Sequence, residues 1–323
     1  MYTIKQIPED FIVKEVSNVE FGKVGQFTYF ILKKKNYNTV TALQRIAERL
    51  RIPVKRFGFA GNKDKVALTE QMVSVKDIPK DLLEQIKLKD IEIEVVGFGN
   101  KPISLGNLFG NSFEITVRNL IKEELDLLDI KLKKEMKILN SFGEQRFSRN
   151  NSEVGKAIVK RDFKQAVELM LENDGDYEKE VANYLKIHEN DFVGALRKVN
   201  KKILKLFVSA YQSKIFNQTL IKYSGEDEKI PVVGFGTELD DYDSKEIIEE
   251  IMKKENIGLR DFVIREFPEL SSEGTERKKI MSITNLQLKQ VGKDILNQKY
   301  KAVLTFILGP GNYATEVLRN IFS

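Results

Sequence analysis

The sequence of 323 residues contains no cysteine and a single histidine, His188. Without cysteine there can be no disulfide bonds, thiolate zinc sites or thiol nucleophiles. One histidine excludes a multi-histidine metal site, and a Ser-His-Asp triad would have to use His188, which lies at the end of a helical pattern. Any catalysis by this chain must therefore rely on carboxylates, amines, hydroxyls or the backbone.

Long apolar runs are also missing. Residues 1–11 lack the apolar core of a secretory signal, and the most apolar run, 302–308, is far too short to span a bilayer. Neither sign of charge dominates, because 53 Lys and Arg residues oppose 48 Asp and Glu residues, for a net charge of +5. We expect a cytoplasmic protein with no membrane partner, whose mildly basic character permits an anionic ligand without requiring one.

Strand-like patterns occur towards both ends of the chain, and helix-like patterns fill the middle. The strand-like segments alternate or are uniformly apolar, and they lie at 11–13, 28–32, 57–60, 72–75, 91–96, 113–117 and 301–308. Residues 152–223 are helix-like, with few glycines and no proline. This order predicts a mixed α/β domain, residues 1–150 plus 286–323, interrupted by an inserted α-rich domain, residues 151–285.

Two helices are predicted within the first part of the chain. One is capped by Thr39 or Thr41 and ended by Pro53, and its polar side is rich in arginine. The other follows an apolar stripe that steps by threes and fours from Ile121 to Leu139. The region 266–279 is polar and is expected to be a loop.

The most informative stretch is 56–71, which reads RFGFAGNKDKVALTEQ. Gly61 and Asn62 follow a buried-strand pattern, and both tolerate the positive φ of sharp turns. Asp64 is therefore expected on a turn between two strands, with a lysine on either side that would hold its carboxylate ionised. Such a carboxylate can serve as a nucleophile or base. It can equally be a solvated turn residue, and this stretch alone favours that second interpretation.

Two nucleotide-binding motifs are incomplete. The Asn62-Lys63-Asp64 triplet lacks the spacing of the guanine-reading motif of GTPases, and no phosphate-binding GxxxxGK[ST] run is present, which excludes an NTPase. The segment at 97–99 lacks the third glycine of a dinucleotide fingerprint, so a Rossmann domain is excluded as well.

In combination, the motifs resemble the TruD family of tRNA pseudouridine synthases. FAGNKDK at 59–65 with TEQ at 69–71 is similar to the catalytic-aspartate signature of that family, and NSFGEQRF at 140–147 is similar to its second signature. PEDF at 8–11 matches its N-terminal motif. Weaker matches continue in the family's order over nearly the whole chain, at 105–113, 209–210, 216–218 and 311–315, with Arg319. Ser141 and Ser148 depart from the family pattern, which commonly has an aromatic residue and a glycine there.

This resemblance implies an isomerase that converts uridine to pseudouridine in tRNA, with uridine-13 as the expected target. It implies an α+β fold, in which a pseudouridine-synthase-like catalytic domain with a mixed antiparallel sheet is interrupted by an inserted TRUD-type domain. The reaction breaks a C–N glycosidic bond, rotates the base and rejoins it through carbon. Because nothing is oxidised or added, no cofactor and no metal are expected. The implied partner is tRNA, and no protein partner is implied, so we expect a monomer.

The resemblance assigns the catalytic role to Asp64. Its carboxylate can add to the base, attack the sugar carbon or remove a sugar proton, and the sequence leaves these three routes open. Lys5 is expected to pair with Asp64, and Arg319 is the competing candidate for that partner.

Other residues are expected around the substrate. Phe11 and Phe142 would stack on or wall the extruded base, and Asn140 would offer its amide to the uracil edge or cap a helix. Glu9 and Lys63 are expected to bind substrate as neighbours of these motifs. Basic residues are expected on a phosphate-binding face, namely Lys33, Lys34, Lys35, Arg45, Arg49, Lys55, Arg56 and Arg146.

Two other functions stay open. Basic and aromatic residues alone would also suit a non-catalytic RNA-binding or folding protein on the same scaffold. A carboxylate-dependent hydrolase would need a second carboxylate near Asp64. Glu70 is the nearest candidate in sequence, although strand alternation points it elsewhere.

Overall fold

The computed structural model describes residues 2–132, 136–148 and 150–322. The chain divides into two compact units, which we call the sheet unit (Met1–Met136 with Ser282–Ser323) and the helical unit (Lys137–Met281). These boundaries differ from the predicted ones at 150/151 and 285/286. The difference arises because the segment after residue 136 bonds within the helical unit, where Leu139 pairs with Ile280 in a β-bridge.

The described residues contain ten strands, which are numbered in chain order. They are β1 (Phe11–Ser17), β2 (Phe27–Lys35), β3 (Phe57–Phe59), β4 (Leu68–Lys76), β5 (Ile91–Gly99), β6 (Leu108–Leu120), β7 (Lys229–Val232), β8 (Thr275–Lys278), β9 (Ile283–Lys293) and β10 (Tyr300–Leu308). The sheet unit has one sheet of order β5-β2-β4-β1-β6-β10-β9, with β3 paired to β4. Within the described residues, β1 and β4 form its one parallel pair, so the predicted mixed antiparallel sheet is confirmed.

Helices lie in both units. They are α1 (Thr39–Leu50), α2 (Lys80–Glu84), α3 (Lys122–Leu132), α4 (Asn151–Val159), α5 (Phe163–Leu171), α6 (Asp176–Leu185), α7 (Phe192–Leu196), α8 (Lys201–Lys222), α9 (Lys245–Glu255) and α10 (Ala314–Phe322). Within the described residues, the predicted stripe from Ile121 to Leu139 is helical over Lys122–Leu132 and not over 136–139. Residues 133–135 of that stripe lie outside the described residues, and Leu139 forms the β-bridge noted above.

The core of the sheet unit explains the placement of β2 and α1. Phe30 and Leu32 on β2 and Leu43 and Ile46 on α1 are fully buried and belong to one cluster. Side chains alternate along β2, so position 34 points inward with Phe30 and Leu32, and we call these three positions the inward row. Positions 33 and 35 are only half-buried. A lysine therefore occupies an inward position.

The N-cap of α1 differs from the prediction. Asn38 caps the helix, because its Oδ1 accepts the N–H of Thr41 at 2.8 Å. Neither Thr39 nor Thr41 has that role. The helix ends before Arg51, which adopts a left-handed φ of 55°.

Several strands differ from the prediction, and β6 is one of them, because it spans Leu108–Leu120 rather than 113–117. β4 begins at Leu68 rather than at residue 72, so residues 60–67 form the whole connection from β3 to β4. β8 lies inside the region predicted as a loop, and β9 carried no strand prediction. β9 is at the edge of the sheet and is largely exposed, so its sequence lacks the apolar alternation that marks a strand.

The helical unit has its own core, which includes Phe207 and Tyr211 of α8 and the fully buried Phe262. Helices α4 and α8 approach closely at Gly155, where a Cβ would lie 2.0 Å from the carbonyl oxygen of Phe207. Glycine is therefore required for this packing. Among the described residues, no helix has the length and apolar character needed to cross a membrane.

Candidate active site

Asp64 lies on the connection between β3 and β4, residues 60–67, which we call the Asp64 loop. Its Oδ2 is 2.7 Å from the Nζ of Lys5, and the two side chains are 39% and 18% exposed, respectively. The same Nζ lies 4.0 Å from the ring centroid of Phe11. The ammonium therefore contacts a carboxylate and an aromatic face together, and both interactions favour a cation at this point.

The segment that carries Lys5 is anchored to β6 on both sides of the lysine. Thr3 exchanges two backbone hydrogen bonds with Arg118. Asp10 accepts hydrogen bonds from the Arg118 guanidinium at 2.7 and 2.9 Å, and Asp294 accepts another from the same group at 2.5 Å. All three side chains of this cluster are buried, and the bond to Asp10 raises the pKa of Arg118 above its usual value. Lys5 itself has a φ of 56°, so this anchoring holds it in a conformation that non-glycine residues seldom adopt.

The Asp64 loop is tied to its surroundings by neutral hydrogen bonds. The hydroxyl of Thr39, at the start of α1, accepts the N–H of Lys63 at 2.9 Å and donates to Oε1 of Gln71 at 2.6 Å. Gln71 on β4 in turn donates from Nε2 to the carbonyl of Gly61 at 3.1 Å. Gly61 has a φ of 130°, a value that favours glycine. The loop is thus fixed to both α1 and β4.

Lys34 also binds this loop. Its Nζ donates to the carbonyls of Asp64 at 3.0 Å, Lys63 at 3.4 Å and Tyr37. The residue is only 3% exposed. Burial lowers the pKa of Lys34 to about 8, although the Asp64 charge acts in the opposite direction. The structure therefore does not place Lys34 on a phosphate-binding face, because its ammonium is occupied inside the sheet unit.

The charged neighbours of Asp64 in the sequence are used differently from the prediction. Lys63 turns inward and forms a buried ion pair with Glu15 at 2.9 Å, so it is Lys5 that supplies the cation at Asp64. Glu70, the second carboxylate considered for a hydrolase, pairs with Lys14 at 3.0 Å. Arg319, the competing partner for Asp64, pairs with Glu316 on α10.

The second signature lies in the helical unit, where Asn140 and Phe142 share the contacts of Arg277. Arg277 on β8 donates to the backbone and side-chain oxygens of Asn140 at 2.9 and 2.6 Å. Its guanidinium carbon lies 4.2 Å from the ring centroid of Phe142. Phe142 is held by Asn217, which accepts from its N–H at 2.8 Å and donates to its carbonyl at 2.9 Å. Asn140 is not at a helix end, so the predicted helix cap is wrong.

Comparison with known proteins identifies the family. The family model for tRNA pseudouridine synthase D (TruD) matches residues 2–176, 171–228 and 224–321. A probable tRNA pseudouridine synthase D of Methanosarcina acetivorans is 32% identical, over 98% of this chain and 91% of the relative. Another, of Methanopyrus kandleri, is 31% identical, over 94% and 87%. The crystal structure of a putative TruD from Methanosarcina mazei matches with a TM-score of 0.77 at 30% identity, over 99% of this chain and 93% of that chain.

The chain belongs to the TruD family. Members of this family are isomerases, and the predicted family, enzyme class and α+β fold are therefore confirmed. Within the described residues, no group of three or more His, Asp or Glu side chains could hold a metal ion.

Other predicted site residues of this TruD protein already have partners within the sheet unit. Phe11 is 3% exposed and packs edge-on against Phe113, so it supports Lys5 and does not present an open ring face. Glu9 pairs with Lys35, which lowers the pKa of Glu9, and Lys33 pairs with Glu94, which raises the pKa of Lys33.

The remaining predicted phosphate contacts lie in both units. Arg45, Arg49 and Lys55 are exposed, and Arg45 also contacts the ring of Tyr37. Arg56 is half-buried and bonds to the carbonyl of Asp77 at 3.1 Å. Arg146, in the helical unit, donates to Ser213 at 3.3 Å.

Sequence reasoning missed several residues that hold the site together. Arg118 and Glu15 bind partners that are distant in the sequence, and Arg277 binds Asn140, which lies 137 residues earlier in the chain. No local sequence pattern therefore indicates these pairs. A signal was available for Lys34. It continues the inward row of Phe30 and Leu32, and a lysine in such a row must find polar partners inside the protein.

Proposed function

We propose that this protein isomerises uridine to pseudouridine in tRNA, with uridine-13 as the target and Asp64 as the catalytic carboxylate. The observation that carries the proposal is the ion pair between Lys5 and Asp64, 2.7 Å apart, because Asp64 lies on the motif that resembles the catalytic signature of TruD. The Asp64 side chain is 39% exposed, which leaves it accessible to a substrate. A carboxylate is the form of this side chain that can attack or take up a proton, and the Lys5 ammonium orients it by a charge-assisted hydrogen bond.

The reaction needs only an exchange of bonds. The bond from C1′ of the ribose to N1 of uracil breaks, and a bond from C1′ to C5 forms. The hydrogen on C5 leaves as a proton, and N1 takes up a proton, so atoms and charge balance without a cofactor. The target base must leave its stack before the carboxylate can reach the base or the sugar.

The two units offer different contacts to RNA. In the sheet unit, Arg45, Arg49 and Lys55 are exposed and would bind phosphates, with Lys33 and Lys35 exchanging their carboxylate partners for phosphate. In the helical unit, the half-buried ring of Phe142 would stack on a base. Asn140 is 4% exposed and would act on that contact through Arg277, which it holds beside the ring. This activity would place the protein in the cytoplasm with its tRNA substrate, acting as a monomer.

The test uses tRNA labelled with tritium at C5 of uridine, because tritium is released only when C5 becomes bonded to the sugar. Asp64→Asn should abolish tritium release and leave tRNA binding, measured by filter binding, close to that of the wild type. Asp81→Asn on the exposed side of α2 is the matched control and should remain active. A transcript with cytidine in place of uridine-13 should release no tritium.

The same experiment separates the enzyme from a non-catalytic RNA-binding protein. A wild-type protein that binds tRNA without releasing tritium would support the binding protein. Tritium release by Asp64→Asn at the wild-type rate would exclude Asp64 as the catalytic carboxylate.

A further inference from the structure

We infer that Lys34 is a positioning residue for Asp64: its buried ammonium fixes the main chain of the Asp64 loop, and thereby sets the place of the carboxylate. This inference rests on the proposed function, since it concerns the same carboxylate. It assigns Lys34 a role in turnover and none in binding RNA.

The geometry gives the ammonium a complete set of partners. A protonated lysine has three N–H donors, and the Nζ of Lys34 meets three main-chain carbonyls, those of Tyr37, Lys63 and Asp64. Two of these carbonyls belong to the Asp64 loop, and the third lies in the turn that leads into α1. Lys34 thus ties the loop to the corner between β2 and α1.

The backbone beside Asp64 has few other tethers. The bonds from Thr39 and Gln71 hold the N–H of Lys63 and the carbonyl of Gly61, both upstream of Asp64. The bond from Lys34 acts on the carbonyl of Asp64 itself, at 3.0 Å. On the side-chain side, Lys5 holds the carboxylate at 2.7 Å. Main chain and carboxylate of Asp64 are thus each held by one ammonium.

An inward lysine is costly at this position, which argues for a specific role. Lys34 extends a row of fully buried apolar residues, Phe30 and Leu32, where an apolar side chain would be accommodated more readily. The cost is visible as the lowering of the pKa of Lys34 to about 8 by burial. The charged groups that act on it are Asp64, which raises its pKa, and Lys63, which lowers it further. Its strand partners Thr69 and Ile91 carry no charge.

The first experiment compares Lys34→Met with the matched control Lys76→Met, an exposed lysine at the far end of β4. We expect kcat for tritium release to fall by about 10²-fold in Lys34→Met, because a catalytic group displaced by about 1 Å loses that much. KM for tRNA should be unchanged, and amides of residues 60–67 should exchange hydrogen faster. Lys76→Met should match the wild type in all three measurements.

The absence of cysteine makes a clean rescue possible. Lys34→Cys would carry the chain's single thiol, and alkylation with 2-bromoethylamine in denaturant, followed by refolding, restores an ammonium at nearly the position of the lysine. We expect this product to regain kcat, whereas the same variant capped with an uncharged S-methyl group should not. The aminoethyl ammonium is more acidic than that of lysine and loses its proton at a lower pH. As the pH is raised, this product should therefore lose activity earlier than the wild type does.

Each result bears on a different claim. If the wild type forms pseudouridine and Lys34→Met keeps the wild-type kcat, whether or not its KM changes, the inference fails and the proposed function stands. Failure of the aminoethyl product to regain activity, with folding shown by circular dichroism, would also overturn it, even if Lys34→Met does not fold. If the wild type forms no pseudouridine, the proposed function fails, and hydrogen exchange in residues 60–67 still decides whether Lys34 holds the loop.

Discussion

Three lysines around Asp64 differ in what they bind. Lys5 contacts the carboxylate, Lys34 contacts the main chain, and Lys63 is buried against Glu15. Only Lys5 therefore bears directly on the charge and orientation of the carboxylate. Lys5 comes from the segment before β1 and Lys34 from β2, whereas Lys63 is the sequence neighbour of Asp64.

Lys5→Met should lower kcat for pseudouridine formation by about 10²-fold, because it removes a charged partner placed for the reacting group. Lys5→Arg should recover part of this loss, since it keeps the charge with a different geometry. Initial rates of tritium release with saturating tRNA provide the measurement, and Lys23→Met, in an exposed loop, is the control. Equal rates in Lys5→Met and wild type would show that Asp64 works without this ammonium.

For single residues, the sequence predicted which residues belong to the site better than it predicted what each of them contacts. Asp64 was found because it lies in a motif that resembles the catalytic signature of the family, and Lys5 because the resemblance implies a lysine beside that aspartate. Lys34 was assigned to RNA phosphates because of its charge, and Lys63 was assigned to substrate because it neighbours Asp64 in the motif. Their true surroundings depend on which face of β2 or which side of a loop points inward, and that is decided by partners such as Glu15, far from Lys63 in sequence.

Among the secondary-structure elements, the connection between the N-terminal segment and β6 positions the site. The guanidinium of Arg118 on β6 joins Asp10, just before β1, to Asp294, just after β9. Both carboxylates are almost completely buried. A single cation thus bridges two buried carboxylates and fixes the segment that carries Lys5.

Arg118→Met should lower the free energy of unfolding by about 3–5 kcal/mol, because removal of one partner leaves buried charges uncompensated. Urea denaturation monitored by circular dichroism gives this value. Combining Arg118→Met with Asp10→Asn should cost less than the sum of the two single changes, as expected of residues in one network. Strictly additive losses would show that the two residues do not act together.

Some elements with a strong apolar pattern were predicted at nearly the right place, and an element without one was missed. α1 and β10 follow clear periodicities and were found at nearly their observed bounds. β9 was missed because an exposed edge strand has little apolar alternation. Hydrogen bonding to β10 makes it a strand, and that pairing cannot be read from its own residues.

For the molecule as a whole, each of the two units is stabilised by a hydrophobic core of its own. The sheet unit is centred on residues such as Phe30, and the helical unit on residues such as Phe262, both fully buried. The order of strand-like and helix-like patterns predicted this division, while the exact boundaries required the pairing of residues 138–140 with 279–281.

Phe262→Ala should destabilise the helical unit by about 3–5 kcal/mol, the usual cost of removing a buried aromatic ring. Hydrogen exchange followed by mass spectrometry should show faster exchange in α4 and α8, with β2 and β4 still protected. Phe30→Ala is the converse control and should speed hydrogen exchange in β2 and β4, with α4 and α8 still protected. Simultaneous exposure of both units in each variant would contradict two separately stabilised cores.

The order of strands also constrains how the protein is made on the ribosome. β6 and β10 are neighbours in the sheet, yet more than half of the chain is translated between them. At about 5–20 residues per second, β6 waits roughly 10–40 s for its partner. During that interval a nascent chain presents an unpaired strand edge, to which a chaperone or a second nascent chain can add.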